Sequence, residues 1–288
     1  MLTRYSLMVF GQEDALYWQA HWAILSLLAR AEPPFEILVS TDHPRYFHWF
    51  GDAIRVRGMS ADELDDWLGP QRYFFRALIK TLEIGLDASP RPDVAIYLDT
   101  DMIVTRDFGP VIAGALQGDI CMECLEYKLY DSGRQGNKGA KALWKLVGDR
   151  DWDGVRIDRD TQMWNTGITA VSAANTPLVK KALAVCDAML ATGISHRLTE
   201  QIAMSAVLSG GGRAREINVQ GQPPYNAHYW GNKRGWREQI TGHLASIHHR
   251  GLSVAEAVDY FREHPIDQPT HVKRTRKWHR YLGVQPVR

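Results

Sequence analysis

"AIYLDTDMIVTRDFG", residues 95–109, runs from an apolar segment, Val94 to Leu98, straight into two carboxylates, Asp99 and Asp101. Charge at the end of a buried strand is costly unless something pairs with it. In extended chain, residues i and i+2 point to the same side, so both acids can face one cation. Mn2+ and Mg2+ take oxygen ligands and often share one or two carboxylates with substrate phosphates. An isolated D-x-D reads as a solvated turn; the β-run ahead of this one favours a metal site.

Working outward, residues 5–10 read as a buried first strand followed by a polar loop, Gly11 to Asp14. Residues 15–30 carry apolar side chains at helical spacing, and "FEILVSTDHP" is a second strand broken by Pro44. Residues 71–86 are a helix, and 94–98 the third strand. Strand, helix, strand, helix, strand indicates a mostly parallel α/β sheet flanked by helices. Such sheets bind ligands beyond the carboxyl ends of their strands, where Asp14, Asp42, Asp99 and Asp101 all fall.

Downstream, "GDICMECLEY" reads as a strand, a short helix is expected near 139–147, and "MWNTGITAVS" is a strand with a turn at Asn165-Thr166-Gly167. Residues 176–192, 197–209 and 253–263 look helical, "HLASIHH" looks like a short strand, and the tail from 271 is basic. No internal repeat or low-complexity segment interrupts this order.

The 288 residues are 45% hydrophobic and carry 34 Lys plus Arg against 33 Asp plus Glu, so the balance of +1 calls for neither nucleic acid nor an acidic partner. Ten Trp and eleven Tyr read as extra core aromatics before they read as ligand stacks. Three cysteines argue against a disulfide scaffold, and Cys121-Met122-Glu123-Cys124 has no second pair to complete a zinc site, so it reads as buried strand. The first residues lack the form of a signal peptide, and no run approaches a membrane span, which makes a cytoplasmic location the expectation.

Competing phosphate and metal motifs fail. Counted from Asp99, an EF-hand loop would place Ile103, Val104 and Pro110 where it needs an oxygen ligand, Gly and Glu. No G-x-x-x-x-G-K-[ST] is present. A haloacid-dehalogenase-like phosphatase also sets D-x-D after a strand, usually the first of its domain; it stays as an alternative.

The D-x-D stretch resembles that of GT-A fold glycosyltransferases, especially the glycogenin-like and lipopolysaccharide galactosyltransferase-like group. "LMVFGQEDALYWQA" resembles that group's first strand and nucleotide loop, and "YFFRALIKTLEIGL" its Arg/Lys helix ahead of D-x-D. "MWNTGITAVS" resembles its F-N-S-G-V step, "TEQIAMSAVL" its acidic-Gln helix start, "PPYNAHYW" its Y-N segment and "ASIHHRG" its late H-x-x-G. The matches occur in the family's order over residues 5–252. The sequence departs from the group at Phe10-Gly11-Gln12, at Trp164 and Thr166 around Asn165, and in having no Lys-Pro-Trp after "HHRG".

The resemblance implies a GT-A (Rossmann-like) single domain, 1–265, with a basic tail, 266–288. It implies an Mn2+- or Mg2+-dependent enzyme moving a sugar from a nucleoside-diphosphate sugar, a UDP-sugar first, to a glycan, lipid or protein acceptor. Asp99 and Asp101 are then the metal carboxylates, Asp99 shared with the ribose. The third ligand is a late His. His248, followed three residues on by Gly251, is expected over His228, which follows the Y-N segment too closely. Asp14 and Tyr17 match the nucleotide loop, with Tyr17 stacking on a base or packing in the core. Arg76 and Lys80, at i and i+4, share a helix face that points at phosphate or simply at solvent. Asn165 hydrogen-bonds the sugar or caps a turn, and Lys233 contacts the diphosphate if "GNKRGW" is the family's Lys segment or, more readily, is an ordinary loop lysine.

Glu200-Gln201 carries the stereochemistry. The resembling group retains anomeric configuration and sets a Gln beside the reactive carbon, which favours retention here. An inverting enzyme needs a carboxylate base, and Glu200 is that alternative; a plain helix start is the other. A non-catalytic sugar-nucleotide-binding protein remains as a different class. In the tail, Lys273, Arg274, Arg276, Lys277, Arg280 and Arg288 accompany Trp278, Tyr281 and Leu282 on one helical face, a pattern suited to peripheral contact with an anionic membrane or to packing on the domain.

Overall fold

A computed structural model describes residues 1–131, 137–228 and 233–264, with the side chains of 233 and 234 outside the description. The basic tail therefore lies outside the described residues, as does the side chain of Lys233. In chain order the elements are β1 (Thr3–Val9), α1 (Asp14–Arg30), β2 (Phe35–Thr41), a 3-10 segment (Pro44–Ala53), β3 (Arg55–Gly58), α2 (Ala61–Leu68), α3 (Arg76–Asp87), β4 (Val94–Leu98), β5 (Met102–Val104) and α4 (Gly109–Leu116). They continue as β6 (Ile120–Lys128), α5 (Lys138–Val147), β7 (Arg150–Trp152), β8 (Val155–Ile157), β9 (Gln162–Ser172), α6 (Thr176–Ala191), α7 (Thr199–Leu208), β10 (Ala214–Glu216), β11 (Asn226–His228), α8 (Lys233–His249) and α9 (Val254–Glu263).

One seven-stranded sheet, in the order β10-β6-β9-β4-β1-β2-β3, runs through the domain. Its pairings are parallel except where β9 lies antiparallel to β4 and β6. The mostly parallel α/β domain expected from the alternation of runs is what the chain forms. Residues alternate along β1: Tyr5, Leu7 and Val9 enter one core layer with residues of α1, α4, α8 and α9, while Met8 and Phe10 enter the other with α2, α3, α5, α6 and α7. Helices therefore cover both faces, which is why every residue of β1 and β4 is buried and β4 reads as a continuous apolar run rather than an alternating one.

Buried Arg4 ties β1 to the end of α3. Its guanidinium donates to the carbonyls of Gly85, Ala88 and Pro90 and pairs with Glu36. Two small ribbons stand apart from the main sheet, β7 with β8, and β5 with β11.

Two expected elements come out differently. Residues 71–75 form turns, and the helix expected from 71 starts at Arg76. "HLASIHH" is helix, not strand: Trp236, Ile240, Leu244 and Ile247 recur at spacings of four and three, and that stripe is what α8 buries against the core. No helix among the described residues is long and apolar enough to cross a membrane.

Candidate metal centre

β4 stops at Leu98, and Asp99-Thr100-Asp101 turns the chain into β5. β5 pairs antiparallel with β11, and the register sets His228 opposite Met102, one residue from Asp101. His228 Nε2 lies 3.0 Å from Asp101 Oδ1 and 3.8 Å from Asp99 Oδ2. One donor atom from each of Asp99, Asp101 and His228 lies within 4.8 Å of the other two. These three residues have the atoms and the spacing to hold a divalent cation. Behind the imidazole, its Nδ1 lies 3.6 Å from Glu123 Oε2 on β6, the carboxylate–histidine arrangement that orients a metal-binding ring.

The expectation that His248 completes this set is not met. His248 sits near the end of α8, 5.2 Å from the Trp49 ring and 6.5 Å from that of Trp18. The misplacement follows from reading α8 as strand.

Electrostatics fit the same picture. Burial lowers the tendency of His228 to protonate, but Glu123 and then Asp101 outweigh it and push the imidazole up to about 10. Burial and the facing Asp101 push Asp99 up to about 7, although 32% of its side chain meets solvent. Tyr97 donates to Asp99 Oδ1 at 2.6 Å; burial and Asp99 hold its own pKa well above the usual tyrosine value, so it remains a donor. Carboxylates crowded this closely repel one another, and a cation between them relieves the repulsion.

β9 supplies the next layer. Asp99 N donates to Gly167 O at 2.9 Å. A Cβ at Gly167 would stand 2.9 Å from Asp99 Oδ2 and 3.2 Å from Asn165 Oδ1, so the strand approaches the metal pair as closely as a glycine permits. Asn165 lies in the strand itself, not in a turn, with Oδ1 accepting from Gly167 N at 3.0 Å. Its Nδ2 donates to Glu126 Oε1 at 3.0 Å, and Gln201 Nε2 donates to Glu126 Oε2 at 2.9 Å and to Trp164 O at 2.8 Å. Glu126 is the extra residue where the β6–β9 register slips between Leu125 and Tyr127, and a bulge of this kind re-aims a side chain toward a site. Neither Glu123 nor Glu126 stands out in the sequence; the strand "GDICMECLEY" was legible, its bulges were not.

Glu200, at the start of α7, is buried, and Thr166 Oγ1 donates to its Oε1 at 3.0 Å. Burial pushes the carboxyl up to about 8, with Asp99 adding to the shift and the Thr166 hydrogen bond opposing it. Asn165 and Gln201 thus converge on one carboxylate, while Glu200 stands beside Asp99.

The other expected contacts lie elsewhere. Arg76 donates to both carboxylate oxygens of Asp187, at 2.6 and 3.0 Å, and to the carbonyls of Asp66 and Trp67. Lys80 pairs with Glu83 at 2.8 Å. Arg76 is committed to the neighbouring helices α2 and α6, and Lys80 to a carboxylate of its own helix. Asp14 is exposed and accepts from Tyr46. Tyr17 is buried with its ring stacked on Tyr46, centroids 4.2 Å apart at 10°, and its hydroxyl 2.8 Å from Asp42 and 2.7 Å from Gly11 O. It braces the loop after β1 as a core aromatic; the exposed edge of that stack is Tyr46.

No protein-family model matches the chain, and no curated protein matches it. Solved structures do. Among them is the apo form of mouse xyloside xylosyltransferase 1, 12% identical, with a TM-score of 0.45 over 84% of this chain and 93% of that one. A likeness of that size carries no functional weight, and the chemistry has to be read from the side chains themselves.

Proposed function

We propose that this chain is a metal-dependent glycosyltransferase that moves a sugar from a nucleoside-diphosphate sugar to an acceptor, a UDP-sugar being the first donor to test. The observation that carries this reading is the Asp99, Asp101 and His228 set, within 4.8 Å, beyond the carboxyl end of a sheet strand. The donor set of two carboxylate oxygens and one imidazole nitrogen suits Mn2+ better than Mg2+, which prefers oxygen alone. A cation held there would act as a Lewis acid on the diphosphate as it leaves. Asp99, Asp101 and His228 would hold it, and Glu123 would keep the imidazole oriented.

The sugar belongs beside Asn165, Gln201 and Glu126. Asn165 and Gln201 each donate an amide N–H to Glu126, which fixes a carboxylate where positive charge develops at the reactive carbon. Glu200, raised to about 8, is mostly protonated at neutral pH, which suits it poorly to act as the base an inverting enzyme requires. Retention is therefore the favoured outcome, and Glu200 serves to position Thr166 and the start of α7.

Calorimetric titration of UDP with and without Mn2+ tests the proposal. Wild type should bind UDP only weakly in chelator, and Asp101→Asn should remove the enhancement by Mn2+. Equal affinity for UDP in Mn2+ and in chelator refutes it. Donor turnover in the presence of Mn2+ separates an enzyme from a sugar-nucleotide-binding protein.

A further inference from the structure

Between α1, the 3-10 segment after β2 and α8 lies a cleft of about 480 Å³, lined by Trp18, His21, Arg45, Tyr46, Trp49 and His248. Five of these six side chains are flat rings, and they fix one another. Trp18 meets His21 at 89° and Tyr46 at 77°. Trp49 meets His248 at 68° and donates its Nε1–H to Leu252 O at 3.2 Å. The walls are held in place before any ligand arrives, which reduces the ordering cost of binding.

His21 is the floor, 1% exposed. Its Nε2 lies 2.7 Å from Tyr46 O. A carbonyl only accepts, so Nε2 carries the hydrogen and Nδ1 is left as an acceptor. That Nδ1 is buried and has no hydrogen-bond partner among the described residues. Burial pushes His21 down to about 4, which keeps the ring neutral and the floor of the cleft uncharged.

The lining selects the ligand class. Among the described residues the lining contains no carboxylate to draw a cation, and its one guanidinium, that of Arg45, is exposed and lies over the Tyr46 ring at 5.6 Å. A phosphate would find a single guanidinium at the surface. A neutral ring with apolar C–H faces finds aromatic faces on several sides and no charge to desolvate beyond that guanidinium. We propose that this cleft binds a pyranose unit of the acceptor or product glycan. Tyr46 joins the cleft to the rest of the domain: it stacks on Tyr17 and donates to Asp14 at the start of α1, beside the loop that follows β1.

The assignment of that sugar to the acceptor rests on the glycosyltransferase reading; the binding itself does not. The test titrates maltotriose, cellotriose and xylotriose into the full-length protein in chelator, following tryptophan fluorescence and saturation-transfer NMR. At least one trisaccharide should bind saturably, with transfer concentrated on C–H groups of one sugar face. Trp18→Ala and Trp49→Leu should each weaken it by about tenfold or more, while UDP affinity in Mn2+ stays within about twofold. If Trp18→Ala fails to fold, Trp18→Phe takes its place. No binding by any trisaccharide, binding unchanged in both variants, or binding of uridine without any glycoside each overturns the proposal. Because metal and nucleotide are absent from this titration, it can fail while the Mn2+–UDP experiment succeeds, and the reverse.

Discussion

Gly167→Ala is the sharpest test of how β9 and the metal pair share space. Gly167 has no left-handed backbone to lose, so the substitution acts by volume alone. The new Cβ would stand 2.7 Å from Met102 Cε, 2.9 Å from Asp99 Oδ2 and 3.2 Å from Asn165 Oδ1. Comfortable contacts to carbon lie near about 3.5 Å, so the carboxylate has to retreat by roughly half an ångström. Met102 is 1% exposed and cannot simply swing into solvent. Overpacking of this kind costs about 1–3 kcal/mol of stability. Metal sites tolerate displacements of only about 0.2 Å, so Mn2+-dependent affinity for UDP should fall by about ten- to a hundredfold. Urea unfolding in chelator reads the first effect and calorimetry the second. Gly85→Ala is the control: its Cβ would meet Ser6 Oγ at 2.3 Å, between α3 and β1, and should destabilise without touching metal affinity. Wild-type Mn2+ affinity in Gly167→Ala, or an equal loss in Gly85→Ala, refutes the reasoning.

His228→Ala should abolish the Mn2+ enhancement of UDP binding while His248→Ala preserves it, as metal titration of the two variants will read. Glu126→Gln should lower turnover by about a hundredfold or more and leave Mn2+–UDP affinity within about twofold; wild-type turnover would remove Glu126 from the chemistry. Glu200 has a folded pKa raised from 4.5 to about 8, so the folded state binds the extra proton between those values. Its contribution is therefore fully present below about 4.5 and is lost as pH rises through about 8. Measured in chelator, Glu200→Gln should gain stability over wild type from pH 5 to about 8 and level off above, by a few kcal/mol on the order-of-magnitude scale of such shifts; a difference flat in pH would show that the carboxyl is not held protonated.

The main sheet was legible because β1, β2, β4 and β9 are apolar runs long enough to carry a period, and Asp99 and Asp101 stand at the end of one of them. The rest of the site was hidden for specific reasons. β5 and β11 are three residues each, too short for any pattern, and only their pairing brings His228 to Asp101. The segment "LASI" is equally apolar in strand and helix; the stripe from Trp236 to Ile247 had to be followed over about three turns to decide it. Glu126 faces Asn165 and Gln201 because of a slipped register, which leaves no trace in residue types. Arg76 looked available because its partner, Asp187, lies 111 residues away.

The β5–β11 ribbon has a consequence for the order in which the protein matures. Asp101 and His228 are separated by 127 positions, so on the ribosome the carboxylates emerge long before the imidazole. A nascent chain that has closed β1, β2 and β4 owns only a two-oxygen half-site, weak for any cation. Full affinity arrives when β11 zips onto β5 and α8 packs beside α1. Any cation that binds only the zipped form stabilises it in proportion to its free concentration. On the proposed reading, metal supply would act as a proofreading signal for the β5–β11 ribbon, and chelation should loosen β11 before the main sheet.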